Sequence, residues 1–193
     1  MELIYETHAP TVDNENGVAT GWLPGALSDW GLRSARELGE RWCGKGLSKI
    51  YSSDLARAVE TARLAFGACE IRFQTDARLR ECHYGRLDGG PAKEVHGSRL
   101  AHLDTPYPAG ESWRQAVRRH ADFLRELAER DRTGRVLVIG HAATLFAFQH
   151  LLEGMPLETA LSQRVEWQPG WRFILPEPGS HQAAVADRKT QSS

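Results

Sequence analysis

Two short apolar runs, far apart in the chain, each lead into a histidine. Leu3–Tyr5 runs into His8, and Val136–Ile139 runs into His141. Such runs are typical of buried strands, and parallel strands bring their carboxyl ends to one edge of a sheet. If the two strands are neighbours, the imidazoles lie together at the edge where open α/β sheets bind ligands. The pattern also fits two unrelated histidines that fill half-buried positions.

The order of the remaining patterns predicts one α/β domain. Strands alternate with segments of helical spacing, which favours a mostly parallel sheet covered on both faces. We therefore expect a three-layer α/β/α sandwich over residues 1–177, with a small cap from loop insertions and a short antiparallel addition. The polar residues 178–193 are expected to form a disordered tail. The expected elements are a loop over 13–31, helices near 32–43, 55–66 and 111–131, strands Ile50–Tyr51 and Ile71–Phe73, and a hairpin of Val165–Trp167 with Trp171–Leu175.

The charge and cysteine content favour a cytoplasmic protein with small-molecule partners. The 193 residues carry 24 basic and 25 acidic side chains, a formal net charge of −1, so no nucleic acid or membrane partner is expected. Cys43, Cys69 and Cys82 are odd in number and include no C-x-x-C pair, so we expect reduced thiols and no zinc site. The sequence contains neither a leader pattern nor an apolar run of about 20 residues.

Five segments, in chain order, carry a family resemblance. They are His8 with Asn14 six residues later, Tyr51–Ala62, Leu79–Gly85, Pro108–Ser112 and Val136–Ala143. Each match is short, but chance does not explain all five in one order. Over about residues 2–175 the chain resembles the histidine phosphatase superfamily, which has the phosphoglycerate-mutase-like fold.

The resemblance implies a phosphomonoester hydrolase that acts on a small phosphorylated metabolite without a metal or another cofactor. His8 would be the nucleophile and form a phosphohistidine, while Arg57 would bind two phosphate oxygens with its planar guanidinium. His141 and Asn14 would donate hydrogen bonds to the phosphate. Glu81 would protonate the leaving alcohol and then activate water.

Simpler interpretations of the same residues stay open on the sequence alone. Arg57 also suits a surface ion pair with Glu60, and Glu81 suits an ordinary loop carboxylate. No spacing of histidines and acids fits a metal site. The other five histidines are interpreted as surface or core residues: His96, His102, His120, His150 and His181.

The expected cap bears on the substrate. Trp22, His83, Tyr84 and Trp113 could stack on an aromatic or sugar part of a ligand, although such residues are also common in packing. Cys82 stands where the family's mutases carry an arginine for the substrate carboxylate. We therefore expect release of the phosphoryl group to water. Nothing in the sequence indicates the oligomeric state.

The first motif departs from the family pattern. The family's Arg-His-Gly is here Thr7-His8-Ala9, so one phosphate-binding cation is missing and Ala9 lacks the backbone freedom of glycine. Thr7 offers one hydrogen bond and no charge, and Glu6 would repel an anion if it pointed into the site. Three outcomes follow: binding without turnover, action on another ester, or a phosphatase whose missing charge comes from Arg86, Lys93 or Arg99.

Overall fold

The main sheet is mostly parallel. The computed structural model describes residues 1–130, 134–165 and 168–177. Its strands are β1 (Glu2–Thr7), β2 (Val18–Ala19), β3 (Lys49–Ser52), β4 (Phe73–Thr75), β5 (Gly90–Pro91), β6 (Arg135–Gly140) and β7 (Trp171–Ile174). The five-stranded sheet has the order β4-β3-β6-β1-β7, in which only β7 runs antiparallel, and β2 pairs with β5 in a separate ribbon. The predicted topology, including the pairing of β1 with β6, is confirmed.

Helices cover both faces of this sheet. They are α1 (Val12–Glu15), α2 (Asp29–Trp42), α3 (Ala56–Phe66), α4 (Ala92–Gly97), α5 (Trp113–Arg130), α6 (Ala142–Leu152) and α7 (Leu157–Ser162). Side chains of β1 alternate between the faces: Ile4 packs with α2 and α3, whereas Leu3 packs with α5 and α6. Both are fully buried, so the sheet forms the middle layer of the predicted three-layer sandwich.

Side-chain hydrogen bonds fix where α2 and α3, the two helices on one face of the sheet, begin. Ser28 begins α2 by accepting a hydrogen bond from the Gly31 amide, as its position predicts. After β3, the Ser53 hydroxyl accepts a hydrogen bond from the Leu55 amide, and α3 begins at Ala56. Arg57 therefore lies in the first turn of α3, at the carboxyl edge of the sheet.

Two element predictions were wrong in their bounds, and the predicted hairpin at the end of the chain stays untested. The 13–31 loop contains α1 and β2 and ends inside α2, and the strand expected at Ile71–Phe73 lies at Phe73–Thr75. Pairing with Tyr51 and Ser52 sets that strand's position, so its polar residues are included. The segment Trp171–Ile174 pairs with β1 along the open sheet edge. Of its expected hairpin partner, residues 166–167 lie outside the described residues, as does the tail 178–193.

The prediction of reduced cysteines was wrong for two of the three. Cys43 and Cys69 form a disulfide with their Cα atoms 6.1 Å apart, and only Cys82 is a free, buried thiol. The cysteines follow the ends of α2 and α3, which pack so closely that a Cβ on Gly39 would lie 2.2 Å from the Ala65 carbonyl oxygen. Spacing along the chain does not reveal this proximity. The argument from reduced thiols to a cytoplasmic location therefore fails.

The described part of the chain includes no helix with the length and apolar character needed to cross a membrane.

The disulfide is expected to stabilise the fold by restricting the unfolded chain. Because it joins residues 26 apart, loop-closure entropy predicts a contribution of about 3.5 kcal/mol to the free energy of unfolding. Urea denaturation of the wild type with and without dithiothreitol, and of a Cys43→Ser/Cys69→Ser variant, measures it. The free energy of unfolding of the double variant should equal that of the reduced wild type and should not change with dithiothreitol. Equal stability of the oxidised and reduced wild type would contradict the prediction.

Candidate active site

The two strand-end histidines lie together. His8 follows β1 and His141 follows β6, and the centroids of their rings are 5.0 Å apart. Because β1 and β6 are hydrogen-bonded neighbours with Thr7 opposite Gly140, both rings leave the sheet at the same level. The sequence pattern that predicted two neighbouring imidazoles is thus realised in the fold.

His8 is held in the tautomer that a nucleophile requires. Its Nδ1 lies 2.8 Å from the Ala9 carbonyl oxygen, which can only accept, so Nδ1 carries the proton. The Ala9 amide in turn donates to the Thr61 hydroxyl at 3.0 Å, which fixes this backbone segment. Burial, together with the charge of Arg57, lowers the pKa of His8 to about 3. The ring is therefore neutral at pH 7 with a lone pair on Nε2.

Arg57 joins both histidines to the loop that follows β2. Its Nε donates to His8 Nε2 at 3.3 Å and its NH2 to His141 Nδ1 at 3.2 Å. The same guanidinium donates to the carbonyl oxygens of Gly21 at 2.9 Å and Leu23 at 3.0 Å. Burial lowers the pKa of Arg57 from its ordinary value. Its hydrogen-bond partners are all neutral, so the surface ion pair with Glu60 is not the arrangement found.

His141 presents an unpartnered donor. Because its Nδ1 accepts from Arg57, its Nε2 carries the proton, and this buried Nε2 has no hydrogen-bond partner among the described residues. Burial, followed by the charge of Arg57, holds the pKa of His141 well below 6.5. Buried donors are rarely left unsatisfied in folded proteins, so the arrangement suits a ligand oxygen.

Glu81 lies in the same pocket and is oriented by backbone amides. Its Oε1 accepts hydrogen bonds from the amides of Cys82 at 2.8 Å and Ala143 at 3.2 Å. Arg119 supports this loop by donating to the carbonyl oxygens of Arg78, Arg80 and Glu81. Sequence reasoning missed Arg119, because an arginine on a long amphipathic helix looks like part of a solvated face.

The pocket has a volume of about 150 Å³. Asn14 contributes to its wall, and because its Oδ1 accepts from the Thr11 amide, its NH2 group remains available as a donor. His96 is exposed, as its assignment to the surface predicts, and it also borders the pocket. The lining residues are His8, Asn14, Val18, Ala19, Thr20, Gly21, Arg57, Glu81, Tyr84, Ala92 and His96.

Of the four residues predicted to stack on a ligand, only Tyr84 reaches the pocket wall, and it is almost entirely buried. Trp113 is fully buried in the core. Trp22 and His83 stack on each other with centroids 4.3 Å apart, and neither borders the pocket. The Trp22 indole donates to the Glu81 carbonyl oxygen at 2.7 Å. These two rings therefore pack over the Glu81 loop, which is the packing alternative that their sequence left open.

Asp88, another residue that the sequence did not single out, ties the cap together. Its carboxylate accepts from the amides of Trp22 and Tyr84 and lies 3.3 Å from His83 Nε2. The loop whose carbonyl oxygens hold Arg57 is thereby joined to the loop that carries Glu81. Burial raises the pKa of Asp88, and its hydrogen bonds and the charge of His83 oppose that shift.

Thr7 and Glu6 both lie outside the pocket lining. Thr7 is close to the Tyr5 hydroxyl, on the α5 and α6 side of the sheet. Glu6 points to the opposite side, where its Oε1 accepts from the Trp42 indole at 2.6 Å and from Arg41 at 3.4 Å. Strand alternation explains this, and Glu6 adds no repulsive charge next to a ligand.

Among the described residues, no group of three or more histidine, cysteine or acidic side chains is placed to hold a metal ion.

The fold and the paired histidines define a class of phosphoryl-transfer proteins, and comparisons identify the family. A sequence model of the histidine phosphatase superfamily (branch 1) matches residues 7–170. The 2,3-bisphosphoglycerate-dependent phosphoglycerate mutase of Methylobacterium sp. (strain 4-46) is 32% identical over 172 residues, 81% of this chain and 83% of that protein. The same enzyme of Parvibaculum lavamentivorans is 30% identical over 178 residues, covering 84% of this chain and 85% of that protein.

Solved structures of similar fold support the same family. A mycobacterial glucosyl-3-phosphoglycerate phosphatase superimposes with a TM-score of 0.72 at 26% identity, covering 83% of each chain. YhfR of Bacillus stearothermophilus shares the fold, with a TM-score of 0.78 at 24% identity over 94% of this chain and 98% of that one. The chain therefore belongs to the histidine phosphatase superfamily and is an enzyme of that family. The matches support phosphoryl transfer of the phosphatase or the mutase type.

Three buried histidines predict a loss of stability in acid. Burial lowers the pKa of His8 to about 3 and holds the pKa of His120 and His141 well below 6.5. In the unfolded chain these rings take up protons near pH 6.5, so the unfolded state binds more protons below that pH. The free energy of unfolding should fall below pH 6.5 by about 1.4 kcal/mol per pH unit for each ring.

Urea denaturation between pH 7 and 4.5 measures this slope. His120 does not line the pocket and contacts Ala116 and Thr144, so His120→Gln removes one titrating ring without changing a pocket-lining residue. The slope of the variant should be smaller than that of the wild type by about 1.4 kcal/mol per pH unit. Identical slopes would show that His120 is not buried in neutral form.

Proposed function

We propose that the protein is a phosphomonoester hydrolase that acts on a small phosphorylated metabolite through a phosphohistidine on His8. One arrangement supports the proposal. The neutral His8 ring accepts a hydrogen bond at Nε2 from the buried guanidinium of Arg57. The unpartnered Nε2–H of His141 and the carboxylate of Glu81 lie next to it. Phosphoryl transfer needs this set, because a nucleophile must meet phosphorus while fixed donors hold its oxygens.

In the first step, the Arg57 Nε–H turns from His8 to a phosphate oxygen and frees the lone pair. His8 Nε2 attacks phosphorus, and the bond from phosphorus to the ester oxygen breaks. A protonated Glu81 carboxyl gives its proton to the departing alcohol. The positive charge on the phosphorylated ring is stabilised by the hydrogen bond from Nδ1 to the Ala9 carbonyl oxygen.

In the second step, Glu81 removes a proton from a water molecule that attacks the same phosphorus. The P–N bond breaks, inorganic phosphate leaves, and His8 and Glu81 return to their starting states. The donors of Arg57, Asn14 and His141 serve both steps, because charge builds on the same phosphate oxygens. Water is the proposed acceptor because Cys82, at the mutases' arginine position, is fully buried and carries no charge to hold a carboxylate.

Binding of a phosphorylated ligand or partner without turnover is the second candidate. It is favoured by the occupied guanidinium, since Arg57 already donates to four protein acceptors and Thr7 supplies no replacement charge. A ligand must displace at least the contact with His8. The two candidates differ in whether a phosphoryl group ever becomes attached to the protein.

His8→Ala is expected to abolish hydrolysis of p-nitrophenyl phosphate and of a panel of small phosphomonoesters. The wild type should also incorporate acid-labile, alkali-stable phosphate, whereas His8→Ala should not. His102→Ala is the control, because that histidine stacks on Tyr107 and does not border the pocket. Labelling or turnover that survives in His8→Ala would remove the phosphohistidine mechanism, and binding without any labelling of the wild type would favour the second candidate.

Glu81→Gln should separate the two steps. Formation of the phosphoenzyme from p-nitrophenyl phosphate needs little help from an acid, so a burst of nitrophenol should persist while steady turnover falls by about 10²- to 10⁴-fold. With an alkyl phosphate the burst itself should be lost, because the poor leaving group needs the proton. Rapid-mixing kinetics measure both. An equal loss of the burst with p-nitrophenyl phosphate and with the alkyl phosphate would show that Glu81 is not the general acid.

A further inference from the structure

The half-buried indole of Trp22 is held by ring contacts with two side chains of the Glu81 loop. It stacks on His83 with ring centroids 4.3 Å apart and planes inclined by 13°. The guanidinium carbon of Arg80 lies over the indole, 4.6 Å from its centroid, and a cation in that position is attracted by the ring. Arg80 is itself fixed by two hydrogen bonds to the Asp54 carboxylate, at 2.7 and 2.6 Å. These contacts give the indole a defined position.

The backbone on both sides of Trp22 holds Arg57. The guanidinium donates to the carbonyl oxygen of Gly21, the residue before Trp22, at 2.9 Å and to that of Leu23, the residue after it, at 3.0 Å. Gly21 has a φ of +57°, a conformation that glycine adopts without strain. The amide of Trp22 itself donates to Asp88 at 3.2 Å. The position of Trp22 therefore sets the position of two hydrogen-bond acceptors of Arg57.

The same side chain also contacts the acid/base loop at three points. Its indole N–H donates to the Glu81 carbonyl oxygen at 2.7 Å. Its ring contacts Arg80, directly before Glu81, and His83, two residues after it. Catalysis is sensitive to such positioning, because a displacement of about 1 Å can lower a rate about 10²-fold.

Trp113 shows how a tryptophan that serves packing differs from Trp22. Trp113 is fully buried in the core, and its indole N–H lies 3.4 Å from the Tyr107 hydroxyl. Burial of apolar surface is the contribution of such a residue to the fold. Trp22 keeps part of its surface exposed, yet its ring, its N–H and its flanking carbonyl oxygens contact either the Glu81 loop or Arg57.

We infer that Trp22 is a positioning residue that sets the guanidinium of Arg57 relative to the carboxylate of Glu81. The ring places the loop whose carbonyl oxygens hold Arg57, and the N–H places Glu81. Trp22 does not line the pocket, so it acts through these two residues. The inference rests on the proposed function, since it assumes that Arg57 binds the phosphate and that Glu81 transfers the proton.

Two substitutions separate the ring from the N–H. Trp22→Phe keeps an aromatic face for Arg80 and His83 and removes the donor to Glu81, whereas Trp22→Leu removes both. Trp30→Leu is the matched control, because Trp30 lies on α2, is 57% exposed and does not line the pocket. Urea denaturation measures the folding of each variant. The stoichiometry of vanadate binding counts intact sites, and rates are expressed per intact site.

Calorimetric titration with vanadate tests the link to Arg57. Trp22→Leu should bind vanadate at least tenfold more weakly than the wild type, because the guanidinium loses the fixed orientation that a charge-assisted bidentate contact requires. Trp22→Phe and Trp30→Leu should bind it within threefold of the wild type. Wild-type affinity in Trp22→Leu would overturn the inference.

The leaving-group dependence of kcat/KM tests the link to Glu81. Trp22→Phe should lower kcat/KM at least tenfold for glycerol 3-phosphate and less than threefold for p-nitrophenyl phosphate, because only the alkyl leaving group needs the proton from Glu81. Trp22→Leu should lower kcat/KM for both substrates, since both use Arg57. Trp30→Leu should change neither. Equal losses for the two substrates in Trp22→Phe, or no loss in either variant, would contradict the inference.

Vanadate binding requires no turnover, which keeps this test separate from the hydrolase proposal. If the wild type hydrolyses no phosphomonoester but Trp22→Leu still weakens vanadate binding tenfold, the hydrolase proposal fails and the role of Trp22 in holding Arg57 stands. If the wild type hydrolyses phosphomonoesters through His8 while Trp22→Leu keeps wild-type binding and rates, the role of Trp22 is rejected and the hydrolase proposal stands. Absence of vanadate binding to the wild type would also reject the role of Trp22.

Discussion

The site depends on the register of two parallel strands. Thr7 of β1 lies opposite Gly140 of β6, so His8 and His141 leave the sheet side by side. A slip of one residue would turn one ring to the other face. The position after β6 is also sterically fixed, because a Cβ on Gly140 would lie 2.3 Å from the Thr144 hydroxyl oxygen. That hydroxyl accepts from the His141 amide at 3.2 Å and so fixes the start of α6.

Arg57 connects the two strand ends, because its guanidinium donates a hydrogen bond to each histidine. Its partners are two imidazole nitrogens and two backbone carbonyl oxygens, all neutral. A carboxylate partner would stabilise the guanidinium more strongly, but it would also neutralise the charge that an anionic ligand needs. Neutral acceptors satisfy the donors and leave the full positive charge in the site. The same charge helps to keep both imidazoles unprotonated.

The cap holds Glu81 through both its backbone carbonyl oxygen and its carboxylate. The Glu81 carbonyl oxygen accepts from the Trp22 indole and from Arg119, while the carboxylate faces backbone amides and the pocket. Asp88 adds amide contacts at Trp22 and Tyr84, with its side chain only 8% exposed. The position of Glu81 therefore depends on charged residues that touch neither phosphate nor pocket.

The sequence by itself determined the sheet, the family and the candidate residues that meet at the edge of the sheet. The ends of strands can be recognised from a few adjacent residues, so His8 and His141 were named from the pattern itself. Arg57 and Glu81 were named through the order of short motifs that resembles the family. Each of these inferences needs only local geometry.

Tertiary structure alone decided the disulfide, the pairing of the last strand with β1 and the contacts of Arg119 and Arg99. Cys43 and Cys69 meet because α2 and α3 pack closely, and Trp171–Ile174 joins β1 because that sheet edge is open. Arg119 donates to three backbone carbonyl oxygens, whereas Arg99 lies against two aromatic rings and has no hydrogen-bond acceptor among the described residues. Such differences depend on which residues, distant in sequence, are brought into contact by packing. The periodicity of the sequence does not predict those contacts.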